Sequence, residues 1–133
     1  MSFPRQRGGL TRVATTGTGG FALENGTPTI LTWTAPDDGQ LHTVIVAGYS
    51  QVTSAFTGGP VTLHRTALPW YNVVLQSTDG VGLWMFGAGT GGGNDASSGI
   101  VVHAVQPGET ITLVQDAAVT AGAGVVYAEF WAS

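Results

Sequence analysis

Residues 105–131 read VQPGETITLVQDAAVTAGAGVVYAEFW, and they decide the fold. Glu109–Ala121 is the longest run in the chain free of Gly and Pro. Its first half, ETITLV, is β-branched and alternates: Ile111 and Leu113 point one way, Thr110 and Thr112 the other, which is the period of a strand. Pro107-Gly108 supplies a tight turn before it and joins it in a hairpin to Ile100–Val105. The final run, Val125–Trp131, differs in kind. Val126, Ala128 and Phe130 form one face, while Val125, Tyr127, Glu129 and Trp131 form the other. Both faces are largely apolar or aromatic, so both are expected to be covered. Such a strand lies centrally or faces a neighbouring subunit, which favours an oligomer.

Working outward, the same pattern recurs at Thr29–Ala35, Leu41–Tyr49, Val61–Thr66, Tyr71–Ser77 and Val81–Phe86. With 21 Gly and 6 Pro punctuating the chain, helices of ordinary length have no room. About eight short strands separated by turn signals predict an all-β domain, a jelly-roll-like β-sandwich. In Thr29–Ala35, Leu31 and Trp33 are expected on one side and Ile30, Thr32 and Thr34 on the other. Asn25-Gly26 is expected to supply positive φ, and Pro36-Asp37-Asp38-Gly39 a tight reversal. Residues 87–99, GAGTGGGNDASSG, read as the longest loop.

A chain of 133 residues is the size of one domain and is long enough to bury a core without staples. It contains no cysteine, which excludes disulfides and thiolate metal sites. Charged residues make up 9%, against ~25% in ordinary domains. The surface must therefore be largely Thr, Ser, Gly, Gln and apolar groups, as in proteins that work bound to copies of themselves or to a larger assembly.

The few charges are segregated. Arg5, Arg7 and Arg12 give +3 over residues 1–20; one arginine, Arg65, against eight carboxylates gives −7 over residues 21–133. Residues 1–20 are accordingly read as an extended basic arm and 21–133 as the β-domain. The arm has few apolar anchors, and alone it cannot offset the entropy of ordering. Either it is a disordered tail, or Phe3, Leu10 and the three arginines order against a partner. No run approaches the ~20 apolar residues of a membrane helix. MSFPRQRGGLTRV lacks the apolar core of a signal peptide, so folding in a cytoplasm is expected.

Catalytic and cofactor signals are weak. Gly87–Gly92 matches G-x-G-x-x-G but is followed by another strand instead of the helix a dinucleotide site needs. His42, His64 and His103 lie on strands without metal-ligand spacing. No G-x-S-x-G is present, and Asp37-Asp38, the only adjacent carboxylates, sit in a predicted turn. No metal, cofactor or catalytic residue is assigned. The acidic body leaves only the arm to touch phosphate, and three arginines are too few for strong nucleic-acid binding. Trp70-Tyr71 and Trp84 read as core or interface aromatics, or as a sugar-stacking platform.

The segments V-Q-P-G-E-T-I-T-L (105–113) and GVVYAEFW (124–131) resemble the end of jelly-roll domains of the C1q/tumour-necrosis-factor type. There a "pGD-x-v-x-l" hairpin precedes a final aromatic strand near a trimer axis. Trp33–Gly39 followed by Leu41–Ala47 resembles their early "apxxG-x-y-x-v" strand. Glu109 stands where that hairpin carries Asp, and Leu41 is nearest to the aromatic that follows the Gly.

The lysine- and cysteine-free, Gly/Thr-rich β-domain with an arginine-bearing leader also resembles the head-decoration (cement) proteins of tailed bacteriophages. The resemblance implies a non-enzymatic homotrimer on the virion capsid surface, assembled in the host cytoplasm, with the major capsid protein as partner. No direct nucleic-acid or membrane contact is implied. Phe3, Arg5, Arg7, Leu10 and Arg12 would form the capsid-binding arm, with Tyr127, Phe130 and Trp131 anchoring the trimer. The alternative is a receptor- or carbohydrate-binding head of a phage tail or fibre. Its ligand would sit at the outer loops around Trp70, Trp84, Asn94 and Asp95. An enzyme would instead require a strongly perturbed carboxylate or histidine in a cleft.

Overall fold

The alternation in Thr110–Gln115 and Val125–Trp131 becomes the spine of two antiparallel sheets. The structure, a computed structural model, describes residues 9–53, 55–58, 60–76 and 98–133. Among these, all regular structure is strand: β1 (Thr11–Thr15), β2 (Phe21–Ala22), β3 (Thr29–Thr34), β4 (His42–Val52), β5 (Thr57–Gly58), β6 (Val61–Arg65), β7 (Leu68–Gln76), β8 (Ser98–Val105), β9 (Thr110–Gln115), β10 (Val119–Ala121) and β11 (Gly124–Ala132).

One sheet runs β1-β11-β4-β8, with β2 also paired to β11; the other runs β3-β9-β6-β7. Strands β5 and β10 form a small two-stranded ladder beside them. The chain passes repeatedly between the sheets, from β3 to β4, β4 to β6, β7 to β8, β8 to β9 and β9 to β11. Strand β11 lies inside its sheet, as expected, with β4 paired along its whole length.

The core fills the space between the sheets. Val44, Val46, Val102, Val126, Ala128 and Phe130 enter from the first sheet; Ile30, Leu31, Val61, Leu63, Leu75, Ile111 and Leu113 enter from the second. Each large side chain buried in this way contributes roughly 1.5–3 kcal/mol. The two faces of β11 divide as the alternation indicated, and the one that enters the core is Val126, Ala128 and Phe130. Strand β3 departs from strict alternation. Its pairing to β9 shifts between Thr29 and Leu31, so the adjacent side chains Ile30 and Leu31 are both buried.

The seven strand expectations within the described residues coincide with β3, β4, β6, β7, β8, β9 and β11. Val81–Phe86 and residues 87–97 of the expected loop lie outside the described residues, and Ser98 and Gly99, read as its end, open β8 instead. Strands β1, β2, β5 and β10 were not anticipated, and β1 falls inside the segment read as a free arm. It is held by backbone pairing to β11 and by Val13 and Ala14 packed against the core. The sheet edge thus recruits a segment whose own sequence is only weakly apolar. Gly39 and Gly108 take the positive φ their turns require, whereas Asn25 and Gly26 form a bend without it.

Candidate functional site

The outward faces of the two sheets differ chemically. On the β3-β9-β6-β7 sheet, Thr32, Thr112, His64 and Asn72 stand side by side, with Thr34 beside Thr110 in the neighbouring row. Hydroxyls meet directly there, Thr34 Oγ1 lying 2.8 Å from Thr110 Oγ1. The face is largely hydroxylic near β3 and β9, while β7 adds exposed Val74 on the same face as Asn72, and exposed Trp70.

The other sheet presents aromatic and aliphatic groups. Its register sets Arg12, Trp131, Ile45 and Val101 in one row across four strands. Val101 is 47% exposed, while Trp131 and Ile45 are half-buried. Two rows along, Tyr127 and Tyr49 stack with ring centroids 4.7 Å apart and planes 16° from parallel. Between them lies Glu129, opposite Ala47. Its Oε1 accepts the Trp131 indole N–H at 3.0 Å, and its Oε2 accepts Arg12 Nη1 at 3.0 Å. The indole N–H, and then Arg12, hold this carboxyl below the ordinary carboxylate range against partial desolvation. This carboxylate is thus neutralised within the subunit.

Beside the tyrosines, the turn after β1 encloses a groove of about 530 Å³ lined by Arg12, Thr15, Thr18, Gly48, Tyr49 and Glu129 among others. Gly20 (φ +70°) packs against Tyr127 and Val125. A Cβ there would come within 2.8 Å of the Tyr127 ring, so the backbone lies flat against it.

Behind the second sheet's edge, Arg65 and Glu109 form a buried two-pronged pair, Nε to Oε2 and Nη2 to Oε1, each 2.9 Å. Glu109 also accepts the N–H of Gln106 at 2.9 Å and of Ala67 at 3.4 Å, and Arg65 Nη2 donates to the Ala104 carbonyl at 3.3 Å. Burial pushes the Glu109 carboxyl up, but Arg65 and these N–H groups together hold it below its usual range. The arrangement secures the turn between β8 and β9 and presents no open face to a substrate. The hairpin expected at Pro107-Gly108 is a correction, because β8 and β9 pair in different sheets.

The histidines serve separate local roles. His42 is buried and contacts the Ser133 main-chain oxygen through Nδ1 at 2.9 Å and Asp38 Oδ1 through Nε2 at 3.2 Å. The Ser133 contact, reinforced by Asp38, raises its pKa against the opposing effect of burial. His64 Nε2 lies 2.9 Å from Thr62 Oγ1 and 3.4 Å from Asp116 Oδ2, and His103 is exposed. Among the described residues, no three His, Cys, Asp or Glu side chains come together to hold a metal.

Of the expected interface anchors, Trp131 lies on the aromatic face. Tyr127 lies there too, though it is stacked by Tyr49 and covered by Gly20. Phe130 is a correction: it is fully buried between the sheets, because a strand points successive side chains to opposite faces. Arg12 is a correction to the arm, since it belongs to β1 and pairs with Glu129. Leu10 directly precedes β1 and is half-buried. Trp70 is 77% exposed on β7, consistent with an outer position. Phe3, Arg5, Arg7, Trp84, Asn94 and Asp95 lie outside the described residues. Ile45, Tyr49 and Val101 were missed as face residues. Ile45, Ala47 and Tyr49 carry the same apolar signal on the second side of a strand that marked β11. No protein-family model, curated protein or solved structure matches the chain.

Proposed function

We propose that the protein is a structural, non-enzymatic capsid decoration protein of a tailed bacteriophage, acting as a homotrimer on the shell built by the major capsid protein. The observation that carries this reading is the outer face of the β1-β11-β4-β8 sheet, where Trp131, Ile45 and Val101 stand in one row and Glu129 is paired with Arg12. Interface cores are depleted in charge and rich in aromatics, and the row Trp131–Ile45–Val101 has that character. The sheet orders β1-β11-β4-β8 and β3-β9-β6-β7, with the chain passing repeatedly between sheets, support the jelly-roll part of the reading.

With Arg12 engaged by Glu129, contact with the capsid falls to the residues before β1, which include Phe3, Arg5 and Arg7. A single exposed arginine–carboxylate contact contributes only ~0–1 kcal/mol. Three arms on one trimer gain through effective concentration, by ~10²–10⁴ over one arm. Binding then requires a lattice of matching spacing.

Because β1 belongs to a sheet, the decisive truncation removes residues 1–8 only. Light scattering of the full-length and truncated proteins should give a trimer for both, and only the full-length form should co-sediment with phage capsid shells. A monomer in both forms would overturn the reading. The 77% exposure of Trp70 favours the second reading, a receptor-binding head. That reading predicts that the truncation is silent and that Trp70→Ala abolishes attachment.

A further inference from the structure

We infer that the groove between the β1–β2 turn and the Tyr49–Tyr127 pair is a binding site for a neutral saccharide, recognised as a single pyranose ring. The site is separate from the Trp131–Ile45–Val101 row, none of which lines it, and the inference stands apart from the capsid reading.

Three features of the groove define the ligand. Arg12 and Glu129 cancel one another at 3.0 Å, so the groove has no net charge with which to select an anion or a cation. Tyr49 and Tyr127 supply an aromatic flank suited to a ligand with an apolar face. Around it stand groups with hydrogen-bonding capacity left over. Thr15 Oγ1 accepts the Gly17 N–H at 3.0 Å and retains its own proton to donate. Thr18 is exposed at the rim, and the Arg12 guanidinium, half-exposed, uses only Nη1 on Glu129. A purely apolar ligand would strip water from these groups without replacing it, at a cost. A pyranose has one C–H-rich face and hydroxyls around its edge, so it meets both demands. The volume of about 530 Å³ falls within the range of small-molecule sites.

The test is an amide-shift titration of the ¹⁵N-labelled full-length protein with methyl α-glucopyranoside, methyl β-galactopyranoside and N-acetylglucosamine. Glucuronate and benzoate serve as the charged and aromatic probes. At least one neutral sugar should shift the amides of Gly17, Gly48 and Ala128, with little dependence on salt. Tyr49→Ala should weaken that binding by about tenfold, the upper end of what one aromatic contact supplies. Thr18→Val, at an exposed position outside the core, should weaken it without disturbing the fold. The inference is overturned if no sugar shifts these amides or if both variants bind as well as the parent. It also fails if benzoate or glucuronate binds as tightly as the best sugar. Light scattering on the same sample separates the two readings, since a trimer whose groove amides ignore every sugar leaves the capsid proposal standing and sinks this one.

Discussion

The indole N–H of Trp131 donates to Glu129 Oε1 at 3.0 Å, two residues back along the same face of β11. With Arg12 on the other carboxylate oxygen, this contact ties β1 to β11 and fixes the indole beside Ile45. The ring is thereby oriented before any partner arrives, so less side-chain freedom is lost on association. On the proposed homotrimer reading, Trp131→Ala should dissociate the assembly, read as a fall in mass by light scattering. Because the side chain is only half-buried in the subunit, the loss of subunit stability should be smaller than the 3–5 kcal/mol of a core tryptophan. An intact trimer would make this row ordinary surface.

Arg12→Ala tests a different part of the same contact. The pair is exposed, with side chains 51% and 36% accessible, so the change should cost no more than ~1 kcal/mol. Chemical denaturation should show this small loss, and added salt should diminish it. A loss several times larger would mean that β1 is held through Arg12 and not through its backbone ladder.

The Arg65–Glu109 pair predicts an unequal pair of mutants. Arg65→Met leaves a buried carboxylate that still accepts the N–H groups of Gln106 and Ala67. Glu109→Leu orphans those two donors and leaves the guanidinium without its carboxylate, held only by the Ala104 carbonyl and the Tyr71 ring. Removing one partner of a buried pair costs ~3–5 kcal/mol, and Glu109→Leu should be the more damaging change. Equilibrium unfolding of both variants gives the order; the reverse order would show that Arg65 has an anchoring role beyond this pair, such as its contact with the Tyr71 ring.

These contacts also show what the sequence could and could not reveal. Period-two alternation located seven strands and sorted Val126, Ala128 and Phe130 onto one face of β11, but with both faces apolar it did not say which one enters the core. Strands β1, β2, β5 and β10 are short or weakly apolar and exist because a neighbouring edge pairs with them, a non-local cause. The same limit hid the site. The second faces of β4 and β11 were each visibly apolar, but the sequence does not state that Tyr49 lies opposite Tyr127 or Ile45 opposite Trp131. It likewise placed Phe130 among the interface anchors with Tyr127 and Trp131, although alternation puts Phe130 on the opposite face, the one buried between the sheets.

Ser50 sits in β4 with its hydroxyl fully buried and, among the described residues, without a hydrogen-bond partner. A buried polar group left unpaired costs ~1–3 kcal/mol. Ser50→Ala removes the group with a minimal change in volume and should raise stability by about 1 kcal/mol, measured as a higher denaturation midpoint at unchanged slope. A loss of stability would show that the hydroxyl is satisfied in solution.

His42 makes the final strand sensitive to pH. Its imidazole joins the Ser133 main-chain oxygen to Asp38 at the turn before β4, and its pKa in the folded state is raised above the ordinary value of 6.5. A raised folded pKa means that the native state holds the proton more tightly than the unfolded chain. The resulting stability is fully present below pH 6.5 and is lost as pH rises through the folded value. Asp38 acts at the opposite limit. The Gln40 N–H and then His42 lower its pKa, against slight desolvation, so its contribution fades as pH falls through that lowered value. Thermal unfolding of the parent and of His42→Gln should therefore diverge most in mildly acidic buffer and converge toward alkaline pH. A difference that stayed constant with pH would assign His42 to packing against Trp33, whose ring meets it edge-on at 6.1 Å, and not to the charged contact.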